Sequence, residues 1–101
     1  MGVTAGLKAR QIIDNMAHIL AIELMAGAQG VDFRREILGP ESRQGRGTAA
    51  AYALLRRDTP FIERDCLMYP YIERTRELVE AGAVAGAVDA ALGETSNGQQ
   101  V

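Results

Sequence analysis

Leu7 to Gln29, LKARQIIDNMAHILAIELMAGAQ, reads as one long helix. It has no Pro and no Gly before Gly27. Ile12, Met16, Ile19, Leu20, Leu24 and Met25 recur close to i, i+3, i+4, i+7, the stripe of a core-facing helix. Lys8, Arg10, Asp14 and Asn15 give the first half a wet face, whereas Ala17 to Ala28 carries only His18 and Glu23 as polar residues. A helix that is apolar nearly all round is predicted to be buried on all sides. Its length is out of proportion to its chain. From 7 to 29 it would run roughly 35 Å at about 1.5 Å per residue, against a radius of gyration of about 13 Å for a compact chain of this size. The other segments are short and Ala-rich, so the partners of this helix are expected mostly outside these 101 residues. Two readings follow: a piece of a larger protein, or a small domain that oligomerises through the helix.

Working outward, Thr4 is placed to cap the helix and Gly30 to stop it. Val31-Asp32-Phe33 reads as a tether whose Phe can pack back. Arg34 to Gly47, with Gly-Pro and Gly-Arg-Gly, reads as a loop holding at most one helical turn at Arg35 to Leu38. Thr48 is expected to cap a second helix that ends at Thr59-Pro60, because a residue before Pro is pushed out of the helical region. Phe61 to Tyr69 is a connector. Pro70 opens a third helix that Gly82 stops. Ala83 to Leu92 is a weaker last helix, within which Gly82-x-x-x-Gly86 could permit a close helix contact. No alternating β-branched run occurs, so the prediction is all-α: one long buried helix plus two or three shorter ones over residues 1–92, and a disordered polar tail over 93–101.

The formal charge is −2, unevenly spread. Arg34 to Arg64 holds seven Arg against four acids, net +3, and Asp65 onward holds two Arg against six acids, net −4. The basic middle is expected to pair with acids of a neighbouring segment or subunit. With no Trp and no aromatics interleaved among the bases, nucleic acid is not an expected partner. No uncharged apolar run reaches the 18 residues of a membrane span. The lone Cys66 allows neither an internal disulfide nor a Cys-based metal site and fits a reducing, cytoplasmic setting.

Residues with chemistry are few. His18, mid-helix near Asn15 and Glu23, is expected to be a satisfied structural histidine, lacking the partners of a base or a metal ligand. Glu23, between Ile22 and Leu24, is expected to be a buried carboxylate held by an Arg of the middle segment or of another subunit. Cys66 is expected to be a small packed residue. Tyr52, Tyr69 and Tyr71 suit an interface. Arg10 with Asp14, Arg64 with Asp65, and Glu73 with Arg76 or Glu77 are expected as ordinary surface pairs of small worth. Gly45-Arg46-Gly47 has no preceding strand and is not a phosphate loop. No catalytic, cofactor-binding or metal-ligating residue is assigned.

The run GLKARQIIDNMAHILAIELMAGAQGVDFR, then GRGTAAAYALLRRDTPFIERD and YPYIE, resembles the C-terminal end of the aromatic amino acid ammonia-lyases, closest to the bacterial histidine branch. The resemblance covers Met1 to about Ala81. Its specific blocks are AIEL followed by AQGVDFR, and GRGT followed by Tyr52, Arg56 and Arg64-Asp65; Pro70-Tyr71-Ile72-Glu73 departs slightly from the usual Pro-Asp-Ile-Glu. It implies a mostly helical homotetramer built on long antiparallel helices, whose methylidene-imidazolone electrophile forms from an internal Ala-Ser-Gly and expels ammonia from an α-amino acid. No Ala-Ser-Gly occurs here, and a Gln-Glu-Asp-His-Val-Ser-type active-site motif would stand just before Met1. The expectation is therefore a C-terminal scaffold and oligomerisation segment, inactive alone, with no cofactor of its own. Its partners would be the rest of the subunit and other subunits, and the isolated chain could self-associate through Leu7–Gln29. The alternatives are a tyrosine or phenylalanine ammonia-lyase or aminomutase segment, and a stand-alone non-catalytic helical module.

Overall fold

A computed structural model describes the backbone of residues 2–99 and the side chains of residues 2–93. Among these the chain forms four helices and no strand: α1 Gly2–Leu38, α2 Arg46–Asp58, α3 Tyr69–Glu80 and α4 Ala83–Gln99. The all-α prediction holds. Residues 100–101 of the expected tail, and its side chains from 94 on, lie outside the described residues.

The boundary that moves most is the end of α1. Gly30 does not stop it; the helix runs on through Val31, Asp32 and Phe33 to Leu38. A glycine inside a helix costs only about 1 kcal/mol, and Asp32 and Phe33 find tertiary partners that outweigh this. The stop is Gly39, at φ +95°, whose N–H closes a 2.8 Å bond to the Arg35 carbonyl, with Pro40 following. That is a left-handed C-terminal cap. Gly82, at φ +73°, ends α3 the same way, as its position in the sequence indicates.

The start of α2 also shifts. Gly45, not Thr48, is the N-cap, its carbonyl accepting the Ala49 N–H at 2.8 Å, and no side chain among the described residues caps this end. Thr59 does end α2, in extended conformation ahead of Pro60, as pre-proline geometry requires. Gly86 meets no neighbouring helix, so the Gly82-x-x-x-Gly86 contact is not made.

Packing divides into two pairs, α1 on α3 and α2 on α4, with lighter contact between them. Within this chain α1 is buried along one face only, at Ala17, Ala21, Met25 and Ala28, a 4-4-3 spacing. Small residues there let the α3 backbone come close. Ala28, Leu55 and Leu78 form the core, ringed by Leu24, Tyr52, Ala83 and Val84. The larger stripe residues Ile12, Met16, Ile19 and Leu20, expected to face the core, stand 58%, 55%, 56% and 43% exposed on the opposite side. The molecule is a slab, 55 × 45 × 18 Å, with a radius of gyration of 16.6 Å. That exceeds the about 13 Å of a compact chain, because α1 alone spans the longest dimension.

Candidate functional site

The side chains that lock the slab together gather where α1 leaves the core. Asp32 sits one turn past Ala28 and faces α2. It accepts the Tyr52 hydroxyl on Oδ1, and on Oδ2 the Arg56 Nε at 3.1 Å with a second bond from the same guanidinium. Arg56 also donates to the Thr59 carbonyl at 3.0 Å, so one side chain clamps α1 and the exit of α2. The guanidiniums of Arg56 and Arg35 lie 5.4 and 5.8 Å from the centre of the Tyr52 ring, within cation–π range. Burial by itself would raise the Asp32 carboxyl, but the Tyr52 and Arg56 hydrogen bonds and the charges of Arg56 and Arg35 outweigh it and hold its pKa below the usual value.

The connector after α2 is fixed from the same helix. Gln29 donates from Nε2 to the Ile62 carbonyl at 2.6 Å and accepts the Ile62 N–H on Oε1 at 3.2 Å. Phe61 meets Phe33 edge to face, ring centres 5.4 Å apart. Deeper in, the buried Thr59 and Thr75 hydroxyls lie 3.5 Å apart, and Thr75 Oγ1 donates back to the Tyr71 carbonyl at 2.8 Å.

His18 is satisfied, as the sequence indicates, though by other partners. Its Nδ1 donates to the Asp14 carbonyl at 3.1 Å and its Nε2 meets Glu73 Oε1 of α3 at 3.0 Å. Both ring nitrogens thus face acceptors, which favours the imidazolium. The Asp14 carbonyl first, then Glu73, push its pKa up. Glu73 continues to Arg76 at 2.8 Å, and Arg76 to Glu80 at 2.7 Å. Arg76 and then His18 lower the Glu73 pKa.

Other expectations need correction. Within this chain Glu23 is exposed on the outward face of α1 and no Arg of the middle segment pairs with it among the described residues, because the face buried here is the alanine face about half a turn away. Cys66 is exposed in the connector, not packed, its Sγ 4.0 Å from the Met68 sulfur. Neither Arg10–Asp14 nor Arg64–Asp65 forms an ion pair among the described residues. Of the basic middle, Arg56 finds an acid within the chain, Asp32, whereas Asp58 of α2 is itself taken by Arg74 of α3 at 2.9 Å. Among the described residues no group of three His, Cys, Asp or Glu could hold a metal ion, and no helix is long and apolar enough to cross a membrane.

Gln29, Asp32, Tyr52 and Arg56 therefore form a joint between helices, and sequence reasoning missed Gln29 and Asp32 as its members. A signal was present, since AQGVDFR and the Tyr52 and Arg56 positions are among the blocks that carry the family resemblance. The family model for aromatic amino acid lyases matches residues 1–57, both sides of this joint. The chain belongs to the aromatic amino acid lyase family. It is 58% identical over 87 residues to the histidine ammonia-lyase of Chloroflexus aurantiacus, covering 86% of this chain and 17% of that protein. The histidine ammonia-lyase of Symbiobacterium thermophilum is 43% identical over 92% of the chain, and that of Myxococcus xanthus 38% over 90%, each again with 17% of the relative covered. The chain thus spans about a sixth of the length of these lyases. No solved structure matches it.

Proposed function

We propose that this chain is the C-terminal scaffold and oligomerisation segment of a histidine ammonia-lyase, a cytoplasmic enzyme of histidine catabolism that converts L-histidine to urocanate and ammonia. The observation that carries the reading is the outward face of α1. Ile12, Met16 and Ile19 stand more than half exposed in line on a helix whose other face is already packed. A helix with two apolar faces is built to sit between neighbours. The 58% identity to a histidine ammonia-lyase over nearly all of the chain supports the substrate assignment over tyrosine or phenylalanine.

In this reading the Asp32–Tyr52–Arg56 joint sets the angle between α1 and α2, so that the outward face meets the rest of the subunit and the other subunits of a homotetramer in register. The residues present do not fit the methylidene-imidazolone: the chain holds no Ala-Ser-Gly from which it forms. The segment supplies packing and position rather than a reacting group.

A chimera tests this. The matching 87 residues of the Chloroflexus aurantiacus enzyme are replaced by those of this chain, and urocanate formation and sedimentation are followed. The expected result is an active enzyme with its oligomeric state unchanged, and an isolated chain with no turnover. A correctly assembled chimera without activity, or urocanate formation by the isolated chain, contradicts the proposal.

A further inference from the structure

Arg56 and Arg74 find carboxylates within the chain, but Arg34 and Arg43 form no ion pair among the described residues. These two come together with Arg35 around one small cavity of about 80 Å³, between the end of α1 and the loop that leads into α2. Ser42 and Gln44 complete its polar lining, and Val31 and Leu38 its apolar wall. The nearest acids in sequence, Glu36 and Glu41, do not line it.

Two residues beyond Gln44, α2 begins at an N-terminus that no side chain among the described residues caps and whose first turn holds no acid. The helix dipole adds positive potential there. Arg34 and Arg43, with no ion-pair partner among the described residues, and Arg35 beside them make an electropositive concavity close in sequence to that helix start. Its volume admits more than one water, which needs only about 10–15 Å³, and suits a single oxyanion group.

We propose that this pocket is an anion site for a phosphate-type oxyanion. The planar forks of Arg34 and Arg43 present paired donors matched to phosphate oxygens, and the Ser42 hydroxyl offers a further donor. Arg35 contributes less, because it already leans over Tyr52 and its charge is partly spent on Asp32. The two free guanidiniums therefore balance a dianion better than a singly charged carboxylate. This site lies at the C-terminal end of α1, displaced along the helix from Ile12, Met16 and Ile19.

The test is an NMR titration of the full chain with inorganic phosphate at constant ionic strength, with a parallel arm in sodium acetate. Saturable shifts are expected at Ser42 to Gly47, with a response to acetate about tenfold weaker. The double variant Arg34→Gln, Arg43→Gln should weaken phosphate binding about tenfold or more while keeping the helical circular dichroism, since both side chains are exposed. Arg57→Gln, which removes one exposed charge away from the cavity, should leave it unchanged. Shifts that grow linearly without saturating, an equal response to acetate, or an equal loss in Arg57→Gln would each overturn the site.

Discussion

Gln29 and Ile62 hold each other at two points, the side-chain amide of one reproducing for the main chain of the other the pairing of a neighbouring strand. This is how a connector without secondary structure is tied to α1, and it satisfies both backbone groups of Ile62. Gln29→Leu keeps the size of the side chain and removes both bonds. It should destabilise the chain by about 1–3 kcal/mol, the cost of stranding partly buried polar groups. Denaturant unfolding gives the magnitude. Hydrogen exchange gives the location: the Ile62 amide should lose protection while the α1 amides keep theirs.

Asp32 reaches Tyr52 and Arg56 together. Asp32→Asn keeps the shape and removes the charge that holds the Arg56 guanidinium over Tyr52. Both side chains of the ion pair are about four-fifths covered, so solvent screens the pair only in part. The expected loss is about 1–3 kcal/mol by thermal or denaturant unfolding. Tyr52→Phe removes one neutral bond and should cost less, about 1 kcal/mol. Equal costs for the two variants would show that the ion pair contributes nothing beyond the hydroxyl.

Stability should fall at both ends of the pH range for separate reasons. The pKa values of Asp32 and Glu73 are lowered from 3.8 and 4.5, so their stabilisation is present above those values and is lost as acid protonates the folded carboxylates. The pKa of His18 is raised from 6.5, so its contribution is fully present below that pH and is lost as pH rises through the folded value. The midpoint of thermal unfolding should therefore peak between about pH 5 and 6.5. His18→Gln should flatten the decline above pH 6.5 and leave the acid side in place. A decline above pH 6.5 that survives in His18→Gln would assign it to another group.

Gly39 ends α1 in the left-handed region, where an L side chain crowds its own carbonyl. Gly39→Ala should cost about 1–2 kcal/mol although a Cβ there meets nothing within 4 Å. Gly30→Ala, in the helix interior with equally open space, should stabilise instead by up to about 1 kcal/mol. The opposite signs at two glycines with open space for a Cβ isolate backbone conformation from packing, and denaturant midpoints read them directly.

The fold class was legible because helix punctuation is local. Thr59-Pro60, Pro70 and Gly82 each act through the conformation of one or two residues, and all three stand where expected. Gly30 misled because a glycine stops a helix only if the residues beyond it gain nothing by continuing. Asp32 and Phe33 gain Arg56 and Phe61, which lie 24 and 28 positions away and leave no local trace. The burial pattern of α1 was read from side-chain size, whereas this chain buries the alanines, since they admit a close α3 backbone. The bulky stripe was correctly seen as apolar, and its face was not visible without the neighbours. His18 was recognised as structural, but its partner Glu73 is 55 positions away, beyond any spacing rule.

Sedimentation equilibrium of the isolated chain beside its double variant Ile12→Lys, Ile19→Lys shows whether the outward face of α1 is a surface built for burial. The wild-type chain should sediment at a multiple of its 10.9 kDa mass and the variant at 10.9 kDa, with equal helical circular dichroism. A wild-type chain that stays monomeric across the micromolar range, or a variant that associates as the wild type does, would contradict the claim.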